Sequence, residues 1–143
     1  MLLAAPYTVA TVAGSLSATA GSTDSTGTTA RFSTPAGIVS DAANSRLYVA
    51  DQGNHTIRMI DVSVSPATVT TIAGAAGTYG STDGTNGATA RFNTPTGLAI
   101  NAAGTILYVS DQYYTKVRKI VLPAAPTAPT SSNVTVSTLT STF

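Results

Sequence analysis

Cysteine is absent from the 143 residues, which removes disulfides, thiolate metal sites and cysteine nucleophiles together. A chain without cysteine tolerates either redox state. Glutamate is absent too: all 6 acidic residues are aspartates, and there is 1 histidine. Most of the general-base repertoire is thereby gone, and a lone histidine cannot build a catalytic zinc site, which takes three protein ligands. Charged residues make up 9% of the chain and the formal net charge is +1, which leaves no electrostatic footprint for nucleic acid or an anionic membrane. No apolar run reaches the ~18 residues a membrane span needs. The apolar start, residues 1–6, is too short for a signal peptide and lacks its basic flank. These absences point away from an enzyme, a metal site, an organic cofactor, nucleic acid and a membrane.

What is present is threonine, valine, alanine, glycine and serine. Threonine and valine suit pleated strands, and glycine, asparagine and aspartate suit turns. Helix formers are scarce, so the expected class is all-β with many tight connections.

The strongest pattern is internal repetition. Thr8-Val-Ala-Thr-Val-Ala-Gly14 returns as Thr68-Val-Thr-Thr-Ile-Ala-Gly74, with a third copy at Thr135-Val-Ser-Thr-Leu-Thr140. Gly21-Ser-Thr-Asp24 returns at Gly80-Ser-Thr-Asp83, Ala30-Arg-Phe-Ser-Thr-Pro35 at Ala90-Arg-Phe-Asn-Thr-Pro95, and Leu47-Tyr-Val-Ala-Asp-Gln52 at Leu107-Tyr-Val-Ser-Asp-Gln112. Between the two units the offset is 60 residues, and 59 in the Gly-Ser-Thr-Asp loop, where Asn86 is the later insertion. Each unit divides into four short strands: 37–41, 46–51, 56–62 and 68–73 in the first; 97–101, 106–111, 116–122 and 134–140 in the second. The first three strands of each unit are joined at hairpin spacing. Residues 123–133 form a Pro/Thr-rich connector.

Four antiparallel strands at a fixed period are the signature of a propeller blade. Phe32-x-x-Pro35-x-Gly37-Ile, followed by Leu47-Tyr-Val-Ala-Asp51-x-Gly-Asn-His55-x-Ile-Arg58, resembles an NHL repeat. The second copy is similar, with Tyr113-Tyr114 in place of the Gly-Asn-His turn. The resemblance covers 8–122 and implies β-propeller blades at 31–74 and 91–140. It further implies propellers that scaffold contacts with proteins, nucleic acids or glycans. NHL-like lyases depend on metal and histidine ligands, so the resemblance does not carry their activity to this chain.

Few residues are candidates for a site. Asp51 and Asp111 end the second strand of each unit, where a ring of such residues could hold a cation; an aspartate before a tight turn more simply accepts backbone N–H groups. Arg58 and Arg118 pair most simply with an aspartate of a neighbouring strand. Asp24 and Asp83 lie in loops, and 83–87 has the look of a calcium loop but offers one carboxylate where a hard cation wants several. Arg31-Phe32 and Arg91-Phe92 invite two readings: phenylalanine plugging between blades with arginine capping the loop, or an arginine–aromatic pair stacking on a sugar or base. Tyr113-Tyr114 at a hairpin tip suits a glycan or peptide contact or a subunit interface. The ligand-binding candidates are thus Arg31, Arg91, Asp51, Asp111, Tyr113 and Tyr114, with no catalytic and no metal residues. Asn54 and Asn133 head glycosylation sequons, as many as chance yields in so threonine-rich a chain.

The strand count adds one expectation. Propellers use about 4–8 blades, and two blades would leave apolar faces and open edges. Completion by copies of the chain is expected: three copies giving six blades first, four copies or a filament next. A stretch of a longer propeller is a further alternative. Residues 8–14 have the character of a fourth strand yet precede the first blade, so the sequence holds a surplus strand. Thr8, Val9, Thr11, Val12, Val136 and Leu139 are the expected subunit interface. Richness in threonine and serine points to a secreted or cell-surface location.

Overall fold

In the computed structural model, residues 6–43 and 45–123 are described. Among them there is no α-helix, and the strands form two antiparallel sheets. The first sheet has the order β1-β5-β4-β3-β2, built from β1 (Ser25–Thr26), β2 (Pro35–Ser40), β3 (Arg46–Asp51), β4 (Thr56–Asp61) and β5 (Thr68–Gly74). The second has the order β6-β7-β8, built from β6 (Pro95–Ile100), β7 (Ile106–Asp111) and β8 (Lys116–Val121). The expected four-stranded blade is present in the first sheet, and three strands of the next in the second.

Local chemistry explains the boundaries. β2 and β6 each begin on a proline, which has no N–H to offer a ladder, and each carries a bulge directly after it. They therefore start two residues before the expected Gly37 and Gly97. The β2–β3 turn is closed by Asp41 Oδ1, which accepts from the N–H groups of Ser45 at 2.9 Å and Arg46 at 3.2 Å. In the second blade Asn101 Oδ1 does the same for Thr105 at 2.8 Å and Ile106 at 2.9 Å. The turn needs the side-chain oxygen and not its charge. His55 and Thr115, at φ 59° and 51°, give both following hairpins the same left-handed step despite different residues at the tip. At the end of β4, the Ser63 hydroxyl and then the Ser63 backbone N–H hold the exposed Asp61 carboxyl below its usual range.

The two sheets meet face to face. Tyr48, Ala50, Ile57 and Ala73 of the first pack with Phe92, Leu107, Val109 and Leu122 of the second in one buried cluster. Strand alternation puts Val49, Ile60 and Val69 on the opposite face of the first sheet, where Ala30, Ala67 and Phe32 join them. The inner strands β2 and β6 approach so closely that a Cβ on Gly37 would run into the Thr96 carbonyl.

Two findings depart from the sequence reading. Residues 8–13 form no strand; the segment is irregular, bends from Val12, and is largely exposed. A strand exists only where its N–H and C=O groups meet a neighbour's edge, and among the described residues this segment has none. Conversely, β1 was not expected, because two residues in a serine/threonine loop carry no periodicity; it pairs with β5 at Ser25↔Val69 and Thr26↔Thr68. The expected fourth strand of the second blade at 134–140, with Val136 and Leu139, lies outside the described residues, as does the connector beyond Pro123.

Candidate functional site

Each blade is built around one buried arginine. Arg58 projects from β4 and is fully buried. Its Nη1 donates to Asp51 Oδ2 at 2.8 Å and to the Arg31 carbonyl at 2.9 Å. Its Nη2 donates to Asp24 Oδ1 at 2.7 Å and to the Thr23 carbonyl at 3.1 Å. The guanidinium lies 5.0 Å from the centre of the Phe32 ring, a distance at which the ring face attracts a cation. Asp51, also fully buried, accepts further from Ser33 N–H at 2.7 Å and from Asn54 Nδ2 at 2.7 Å.

The second blade repeats the arrangement. Arg118 donates to Asp111 at 3.1 Å, to the Arg91 carbonyl at 2.9 Å, to Asp83 at 2.5 Å and to the Thr82 carbonyl at 2.9 Å, and lies 5.0 Å from the Phe92 ring centre. The expected arginine–aspartate pairing across neighbouring strands is therefore present in both blades. The loop aspartates Asp24 and Asp83 complete it, and nothing in their surroundings in the sequence links them to an arginine some 35 residues away.

This placement decides between the alternatives for several candidates. Asp51 and Asp111 face inward with their oxygens taken by N–H donors, so a cation-holding ring on an open face gives way to the structural reading. Arg31 Nη1 donates to the carbonyls of Thr28 at 2.7 Å and Ala30 at 2.8 Å, and Arg91 Nη1 to those of Ala88 and Ala90, both at 2.7 Å. Both arginines cap their own loops, and the phenylalanines stack on Arg58 and Arg118 instead. In the calcium-like loop, Asp83 turns to Arg118 and Asn86 Oδ1 accepts from Thr89 N–H at 3.1 Å. The Asn54 amide donates to the Gly21 carbonyl at 2.7 Å and to Asp51, so the sequon nitrogen is engaged in the fold. Tyr113 and Tyr114 remain at a hairpin tip, edge to face with ring centres 5.2 Å apart and Tyr113 exposed.

The outer surfaces are the distinctive feature. Tyr48 is 3% exposed and Ile57 is buried completely between the sheets, whereas their counterparts Tyr108 and Val117 are 42% and 78% exposed. Phe92 is sealed between the sheets, while Phe32 stands half-buried on the far face of the first blade. Among the described residues no strand pairs with the outer edge of β8.

No family model matches the chain. Over 91 residues, 64% of the chain, it is 37% identical to NHL repeat-containing protein 2 of Bos taurus and 36% identical to that of Homo sapiens. The chain spans about an eighth of the length of these relatives, 12%. Among solved structures, it is similar to an auxiliary nutrient binding protein from Bacteroides ovatus, at a TM-score of 0.64 and 30% identity over 77% of the chain and 28% of that protein. An auxiliary nutrient binding protein from Bacteroides thetaiotaomicron is similar at a TM-score of 0.62 and 28% identity, over 76% of the chain and 27% of that protein.

Proposed function

The chain carries two consecutive NHL-type β-propeller blades, and from that premise we propose that it is a non-enzymatic, self-assembling binding or structural scaffold. Copies associate head to tail through their blade faces, three of them making a six-bladed propeller. The observation that carries this reading is the contrast between like positions: residues sealed at the blade–blade contact within the chain are exposed where the chain presents the same faces outward. Tyr108 and Val117 offer the surface that Tyr48 and Ile57 offer to Phe92. Phe32 offers the complementary plug. Such a contact joins unlike patches, so it closes a ring when the rotation fits and otherwise runs on as a filament.

The test is sedimentation of the unmodified chain beside Tyr108→Arg. The unmodified chain is expected to sediment as a multiple and the variant, carrying a charge into the mated face, as a single folded chain. Equal sedimentation of both contradicts the reading.

The tyrosine pair favours a second reading, a propeller with a glycan or peptide site at the hairpin tip. The exposed Tyr113 ring, nearly perpendicular to the half-buried Tyr114 ring, provides apolar area with a polar rim, the surface on which sugars stack. If so, Tyr113→Ala abolishes retention by a glycan or peptide array while leaving the assembled mass unchanged. An array that retains nothing from the assembled protein counts against it.

A further inference from the structure

We propose that the outer edge of β8 is a strand-acceptor groove and that its occupant is residues 8–14 of a second copy of this chain. The inference rests on the assembly reading and names its joint. A groove of about 870 Å³ runs along β8, lined by Lys116, Arg118 and Ile120 and, across from them, by Asp83, Gly87 and Phe92.

Blade one displays what fills such a groove. There β5 lies between β4 and β1. Asp24 clasps it: Oδ2 accepts from Thr71 N–H and Oδ1 from the Thr71 hydroxyl, both at 2.9 Å, while Arg58 holds the same carboxylate. In blade two Arg118 and Asp83 stand in the same relation, but the Asp83 side chain is 91% exposed against 45% for Asp24. The clasp is formed, and among the described residues no strand lies in it.

Two further segments share the Thr-Val-x-Thr pattern of β5. They differ at the positions of Ala73 and Gly74. Ala73 belongs to the buried cluster, and Gly74 sits at φ +88° where a Cβ would collide with the His55 carbonyl. Residues 8–14 supply Ala13 and Gly14 there, and Gly14 already stands at φ +110°. Residues 135–141 supply Thr140 and Ser141, which add bulk to a buried site and a side chain where none fits.

The anchoring matches as well. Gly14 N–H donates to the Gly27 carbonyl at 3.1 Å, as Gly74 N–H does to Gly87 at 3.0 Å. Residues 8–14 therefore leave blade one as β5 leaves blade two. Val9 is 100% exposed where its counterpart Val69 is 1% exposed. Carrying over the β4–β5 register, in which Arg58 faces Thr71, Met59 faces Thr70 and Ile60 faces Val69, Thr11 faces Arg118, Ala10 faces Lys119 and Val9 faces Ile120. The Thr11 N–H and hydroxyl then donate to Asp83, and the added strand completes the sheet by β-augmentation.

Engineered cysteines test this cleanly, because the chain has none of its own. Full-length Ala10→Cys is mixed with full-length Lys119→Cys under mild oxidation. A disulfide-linked mixed dimer is expected as the major product. Thr11→Val, which removes the hydroxyl given to Asp83, is expected to raise the dissociation constant of the assembly about tenfold. A native mass of one chain for the unmodified protein defeats the assembly reading itself. A multiple mass without the mixed disulfide defeats only the joint. An intrachain disulfide in the Lys119→Cys/Ser137→Cys variant, with no mixed dimer in the first experiment, assigns the groove to the chain's own 134–140 and overturns the proposal.

Discussion

Replacing Arg58 with methionine is expected to lower the unfolding free energy by about 3–5 kcal/mol, the range found when one partner of a buried ion pair is removed. Methionine keeps the length and apolar bulk of the stem, so the loss is electrostatic. Asp51 stays buried beside the vacated place with only the Ser33 N–H and the Asn54 amide upon it. The Arg31 carbonyl loses its guanidinium donor, the Thr23 carbonyl keeps only the Arg31 N–H, and Phe32 loses the cation on its face. Urea unfolding followed by circular dichroism at a fixed chain concentration measures this, the concentration being fixed because association adds to apparent stability. Asp24→Asn is expected to cost under about 1 kcal/mol, since its side chain is 45% exposed and the contact is solvent-screened. Equal losses for the two variants contradict the central role given to the Asp51–Arg58 pair.

The two phenylalanines are expected to fail in different ways although they occupy the same place in the repeat. Phe92 is sealed between the blades, and Phe92→Ala opens a cavity in the apolar cluster that joins them. The expected cost is about 3–5 kcal/mol of stability. Phe32 stands on an outer face, so Phe32→Ala is expected to act on association, raising the dissociation constant about 100-fold, with a smaller change in folding. Denaturation and light scattering applied to both variants separate the two effects. Comparable loss of folding stability from both removes the distinction between an inner and an outer blade face.

Much of this was legible in the residues because the repeat supplies its own control. The bounds of β3 and β7 follow from Arg46 or Ile106 at one end and an aspartate at the other, with alternation between. The Asp51–Arg58 and Asp111–Arg118 pairs follow from adjacent strands of a hairpin. The roles of Asp24 and Asp83 were not legible, since a carboxylate in a glycine- and threonine-rich loop meets its arginine only after the chain has folded back. Nor was the inward direction of Asp51. A residue at a hairpin end is placed by periodicity, but whether it faces solvent depends on which loop covers it, here the one carrying Ser33. Residues 8–13 illustrate the reverse case. They carry the strand pattern, but a strand is a property of two segments, and among the described residues no second segment pairs with them.

The native mass of the full chain, measured beside the same chain lacking residues 1–14, tests the account most directly. Three chain masses are expected for the full chain and a single chain mass for the shortened one, both retaining a β-sheet circular dichroism signal. A single chain mass for the full protein, or the same multiple with and without those residues, would contradict it.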